Sequence, residues 1–259
     1  MDLKLKDRIA IVGGASMGIG YGIARMLAGE GVKVAMSARR EPALQEAAER
    51  IRAETGTEVL AVQADGRRAE DCKRLVETVA NAFGGIDILV NNDGAPPLGD
   101  ILSFDDTAWQ KAIEQNFMYV VRMAREAVPH MKPRGGGSVL NISALSALQP
   151  YAGFALSVAS WNGVIGYAKS LSIELAPSGI NVNTICPGYI ETTRLEKVFA
   201  AGGEDPDKMR AELTLQIPMQ RIGSVDDVAS LVTLLVSPRG NYITGATIQV
   251  DGGLLRHVR

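Results

Sequence analysis

Cysteine and histidine are scarce in this 259-residue chain, with two of each. Cys72 and Cys186 are too few for a disulfide framework and fit a reducing compartment, so a cytoplasmic location is expected. His130 and His257 have no ligand-spaced partners; both read as surface residues, and no metal site is expected. Neither sign of charge dominates. A formal net charge of −2 gives no electrostatic case for nucleic acid or an anionic membrane as partner. No apolar run is long enough to suggest a membrane span. The stretch without charge between Arg134 and Lys169 is interrupted by Gly135-Gly136-Gly137, Asn141, Pro150, Gly153 and Asn162, whereas a span needs about 20 mostly apolar residues. The first residues alternate charge (Asp2, Lys4, Lys6, Asp7, Arg8) and lack the apolar core of a signal peptide.

What is present is a regular alternation. Hydrophobic residues make up 46% of the chain and charged residues 22%, enough for one large core. Short β-branched runs at 9–12, 33–37, 59–62, 86–90, 138–142, 181–185 and 247–250 read as seven strands. Between them the spacing predicts helices to about Gly29, over 42–55 and 69–83, and long ones over 106–131 and 155–176. Strands alternating with helices imply an α/β fold, a parallel sheet covered on both faces. No linker divides the chain, so one domain is expected over 1–259. The segment from about 191 to 219, with Gly202-Gly203, Pro206 and Pro218, is the candidate lid.

Gly14-Ala15-Ser16-Met17-Gly18-Ile19-Gly20 comes directly after the first strand and opens a helix. Glycines there permit a tight turn and close backbone approach to a diphosphate, with a helix N-terminus facing its charge. Further signals stand in order along the chain: Asp65, Asn91-Asn92-Asp93-Gly94, Asn116, Pro187-Gly188-Tyr189-Ile190-Glu191-Thr192, Tyr242-Ile243-Thr244-Gly245 and Val250-Asp251-Gly252-Gly253. Together they resemble the short-chain dehydrogenase/reductase family over essentially the whole chain. The resemblance implies a Rossmann-like doubly wound sheet of about seven strands, and a nicotinamide dinucleotide as cofactor. Its site would comprise Gly14, Ser16, Met17, Gly18, Ile19, Gly20, Asp65, Asn91, Gly94, Pro187, Gly188, Ile190 and Thr192. It also implies assembly as a homotetramer or homodimer through the two long helices. At the end of the second strand, NAD-preferring members carry a carboxylate about where Ala38 stands. Arg39 next to it suits a 2′-phosphate, so NADP(H) is expected over NAD(H). Two departures are present: Gly13 stands where the family usually has Thr, which removes a side-chain hydrogen bond from the turn, and Asp93 stands where it has Ala.

Family members transfer hydride with a Tyr-x-x-x-Lys pair, a Ser thirteen residues before the Tyr, and an Asn. Counting back from the helix segment Gly163 to Pro177 places Ser157 at the Tyr position, Trp161 at the Lys position and Ala144 at the Ser position; Asn116 lies 28 residues before Ala144 and matches the Asn. Lys169 sits two helical turns beyond Trp161 and is not the missing cation. A Ser hydroxyl is a far weaker acid than Tyr, whose ordinary pKa is about 10. The expected catalytic candidates are therefore Asn116, Ser157, and a displaced donor: Tyr151, Tyr189 or Asp93. Three readings remain open. One is an atypical NADP(H)-dependent oxidoreductase, and a second is a silent subunit paired with an intact paralogue in a hetero-oligomer. The third is a non-redox enzyme reusing the pocket, as halohydrin dehalogenases do, although those keep Ser and Tyr. Dienoyl-CoA reductases carry Ser at the Tyr position but keep the Lys. The apolar loop Leu145, Leu148, Pro150, Tyr151 and Phe154 suggests a small hydrophobic substrate.

Overall fold

A computed structural model describes residues 1–94, 96–201 and 205–256 of the chain. Seven parallel strands form one sheet: β1 (Ile9–Val12), β2 (Lys33–Ala38), β3 (Val59–Gln63), β4 (Ile88–Asn91), β5 (Gly137–Ile142), β6 (Ile180–Pro187) and β7 (Thr247–Val250), in the order β3-β2-β1-β4-β5-β6-β7. Every residue of β1 is buried, as expected where helices cover both faces. One face packs against α1 (Gly18–Gly29), α2 (Glu41–Thr55) and α9 (Val225–Leu235), through Ile23, Leu27, Leu44, Ile51 and Val232. The other packs against α3 (Ala69–Phe83), α5 (Tyr119–Met131) and α6 (Ala155–Leu175), through Leu75, Val79, Met123, Ala127 and Val164. This is the single-domain, doubly wound α/β architecture the alternation implies.

Three differences from the sequence-derived outline matter. First, α9 is an addition: the outline passes from residue 219 to β7 without an element. Its start is signalled by a capping box in which Ser224 and Asp227 bond each other's backbone amides. Second, the helix expected over 106–131 is three segments, α4 (Asp106–Ala112), one π-helical turn (Ile113–Met118) and α5. A π-turn inserts a residue and rotates the downstream helix, and such turns concentrate at functional sites. Third, the stretch expected as a lid forms two helices, α7 (Thr193–Ala201) and α8 (Pro206–Gln216). Leu195 and Phe199 from α7 and Leu213 from α8 bury against Leu145, Ile217, Ile222 and Leu254, a third apolar cluster. Gly202, Gly203 and His257 lie outside the described residues. His130 is half-buried near the end of α5. No helix among the described residues is long and apolar enough to cross a membrane.

Candidate active site

The strand order reverses between β1 and β4, and a cleft of about 530 Å³ opens beyond the C-terminal ends of the strands. In such sheets ligands bind at that switch point. Its floor is the turn from β1 into α1. Gly14 has φ +54°, and a Cβ there would sit 2.4 Å from the Asn92 carbonyl oxygen; one at Gly20 would meet the Gly14 carbonyl oxygen at 2.4 Å. The Asn92 side chain donates to the Gly13 carbonyl at 3.1 Å, fastening the turn to the end of β4. Helix α1 begins at Gly18 with no side-chain cap and no acidic residue in its first turn, which leaves its first amides available beside the cleft.

Charged groups gather at the end of the cleft formed by β2, β3 and β4. Arg39 and Asp93 both line it. Burial raises the Asp93 carboxyl above its ordinary range, opposed by Arg39 and by a backbone hydrogen bond from Gly94. Asp65 does not line the cleft. It lies beyond the end of β3, and its carboxylate takes the Arg67 guanidinium at 2.9 Å, which holds it low.

At the other end, Ser157 and Trp161 stand one helical turn apart on α6 and face the cleft together. They are 8% and 4% exposed, so both are interior side chains. Ala144 lines the same wall after β5. Among the described residues no lysine lines this cleft; Lys169 points elsewhere, donating to the Gly245 carbonyl at 3.2 Å.

The remaining sequence candidates divide. Met17, Gly18, Ile19, Gly94, Pro187, Gly188, Ile190 and Thr192 line the cleft with Gly14. Ser16 and Gly20 belong to the turn without lining it, and Asn91 is buried under it, donating to Asn141 at 2.9 Å. Asn116 is fully buried and does not line the cleft: the π-turn presents Gln115 to it and places Asn116 beneath Gly94. Tyr189 lines the cleft, its phenol raised by burial. Tyr151 packs against Phe154, with the rings 6.1 Å apart and edge-on. It lines a separate cavity of about 580 Å³ with Trp109, and its buried hydroxyl has no hydrogen-bond partner among the described residues. Of the expected apolar loop, Phe154 lines the main cleft, while Leu145, Leu148, Pro150 and Tyr151 do not.

Several groups at the site carry no signal in local sequence. Ser146 lines the cleft with a buried hydroxyl that has no partner among the described residues. Arg194 of α7 reaches across to the Pro96 carbonyl at 3.4 Å, and Thr193 to the Met17 sulfur at 3.5 Å. Tyr119 is fully enclosed, with its hydroxyl in the space a side chain at position 13 would take. The space that the absent side chain at position 13 leaves in the turn is thus filled by the Tyr119 phenol, beside the Asn92 main chain.

Known proteins share this architecture. The family model described as enoyl-(acyl carrier protein) reductase matches residues 14–255. The chain is 36% identical over 250 residues to "Dehydrogenase/reductase SDR family member 4" of Homo sapiens, covering 96% of this chain and 88% of the relative. It is 35% identical over 246 residues to the 3-oxoacyl-[acyl-carrier-protein] reductase FabG of Staphylococcus aureus, covering 95% and 97%. The crystal structure of L-sorbose reductase from Gluconobacter frateurii, complexed with NADPH and L-sorbose, superposes with a TM-score of 0.95 at 32% identity, over 100% of both chains.

Proposed function

The chain belongs to the short-chain dehydrogenase/reductase family of oxidoreductases, and on that premise we propose that it binds NADP(H) but lacks the family's ordinary means of delivering a proton to a carbonyl oxygen. The binding half rests on fit. Gly14 and Gly18 line the cleft with bare backbone that a diphosphate would approach closely, and a side chain at Gly14 would collide with Asn92. Ser16, Met17, Ile19 and Gly20 complete that turn, Asn91 and Gly94 support it from β4, and Pro187, Gly188, Ile190 and Thr192 would hold the nicotinamide end. Arg39 lines the cleft, and its guanidinium would pair with a 2′-phosphate, which supports NADP(H) over NAD(H). The neighbouring L-sorbose reductase was crystallised with NADPH. Bound, the nicotinamide would give or accept a hydride.

The catalytic half rests on one observation: Ser157 and Trp161 occupy the α6 face that lines the cleft, and no lysine among the described residues lines it. With no cation beside it, the Ser157 hydroxyl stays a poor acid at neutral pH. Trp161 supplies an apolar wall that excludes water from that end of the cleft. General acid–base catalysis typically contributes about 10²–10⁴-fold, and hydride transfer is reduced accordingly. The start of α7 would serve as a lid over this end: Thr193, Arg194 and Leu195 line the cleft, and Arg194 donates to the Pro96 carbonyl. Of the displaced donors, Asp93 and Tyr189 face the cleft while Tyr151 does not. A homodimer or homotetramer built on α6 and the α4–α5 helices is the assembly we infer from the family.

The experiment is a pair of measurements on the purified protein. NADPH fluorescence on titration should show saturable binding. NADPH oxidation against a panel of small ketones, including L-sorbose, should then run far below that of relatives with an intact Tyr and Lys. Absence of NADPH binding would overturn the first half, and turnover at ordinary family rates the second.

A further inference from the structure

Tyr119 enters the site from α5, immediately after the π-turn, and its ring runs between two glycines from different strand ends. A Cβ added at Gly66, beyond β3, would meet the ring Cδ2 at 2.3 Å. A Cβ added at Gly13, beyond β1, would meet the hydroxyl at 2.0 Å and the ring Cζ at 3.2 Å. Neither glycine has the left-handed backbone that would otherwise call for it. Both are bare because the phenol occupies their side-chain space. The hydroxyl lies beside the Asn92 main chain, whose carbonyl oxygen is 3.1 Å from the same Cβ position at Gly13, and the Asn92 side chain donates to the carbonyls of Gly13 and Gly14. Carbonyl, amide and phenol thus form one buried set of contacts joining α5, the end of β4 and the glycine-rich turn.

We infer that Tyr119 is a positioning residue for nucleotide binding, its phenol fixing the Gly13–Gly14 turn against Asn92 in place of a side chain at position 13. It touches no ligand; it acts by holding the backbone that would. The consequence for affinity rests on the nucleotide-binding reading above, whereas the consequence for the turn does not.

The test uses two conservative variants and two readouts. Tyr119→Phe keeps the ring between the glycines and removes only the hydroxyl. In the unliganded protein, amide hydrogen exchange should speed up in segments 12–20 and 91–94 and stay unchanged in β6. The Kd for NADPH should rise about 3- to 10-fold, the worth of one lost polar contact. Gly13→Ala should disturb the same segments, because its methyl lands on the hydroxyl. Adding Tyr119→Phe should move exchange and melting temperature back toward wild type, because the remaining neighbours of the new methyl, the Asn92 carbonyl oxygen at 3.1 Å and the ring Cζ at 3.2 Å, stand more than 1 Å further off than the hydroxyl. Unchanged exchange in Tyr119→Phe, or additive damage in the double variant, would overturn the inference. A wild-type protein that binds no NADPH would overturn the nucleotide reading, and the exchange and coupling results would still decide the role of Tyr119 in the turn.

Discussion

Asn116 donates through Nδ2 to the Ser160 hydroxyl at 2.8 Å, and Ser160 donates onward to the Leu156 carbonyl at 2.7 Å. Both side chains are fully buried. The bond ties the π-turn to α6 one residue before Trp161, and it leaves Asn116 Oδ1 with no partner among the described residues. The asparagine expected from the resemblance to be catalytic is thus engaged in packing two helices, while Gly94 and Gln115 line the cleft beside it.

Ser160→Ala removes the acceptor from a buried amide that has one atom unpaired already. Unfolding in denaturant should show a loss of about 1–3 kcal/mol, the cost of an unsatisfied buried polar group. A loss indistinguishable from zero would mean that Asn116 finds another partner.

Restoring all three altered positions, with Ala144→Ser, Ser157→Tyr and Trp161→Lys together, should raise carbonyl reduction by about 10²–10⁴-fold over the native chain. The check is NADPH oxidation by a folded triple variant that still binds the cofactor. No gain would show that these positions do not correspond to the family's catalytic ones.

Removing the Arg39 guanidinium with Arg39→Ala should weaken NADPH binding about 10- to 100-fold, as expected for a charge-assisted bond to phosphate. The Kd for NADH should barely move. Equal losses for both cofactors would assign Arg39 no role at a 2′-phosphate.

Asp93 sets a pH dependence of known sign. Its folded-state pKa is raised, mainly by burial, so the folded protein holds this proton more tightly than the unfolded chain does. The stabilisation is complete below the ordinary carboxylate pKa and is lost as pH rises through the raised value. Asp93→Asn, which carries no charge, should therefore gain in melting temperature over the wild type as pH climbs from about 4 to about 7. A difference that stays constant across that range would rule out a raised carboxyl.

Ser224→Ala removes the capping box of α9, the helix that packs on α1 behind the glycine-rich turn. A loss of about 0.5–2 kcal/mol in stability is expected. Because this cap lies outside the cleft, NADPH affinity of the folded protein should be unchanged.

The sequence by itself determined the architecture and the location of the cleft. Ile9–Val12, four apolar residues bounded by Arg8 and Gly13-Gly14, read as a strand buried on both faces, and the glycines of 14–20 mark a tight turn directly after it. These are local properties. That positions 157 and 161 hold Ser and Trp was equally legible, and helical spacing alone puts the two on one face. Tertiary structure decided the rest. A single π-turn buried Asn116 and offered Gln115 in its place, a change of register that no residue in 113–118 announces. Tyr151 lines a separate cavity with Trp109, a placement that its position in the chain does not announce. Gly13 and Gly66 make physical sense only beside Tyr119, since whether a bare backbone is a gap or a fit depends on what a distant helix packs against it.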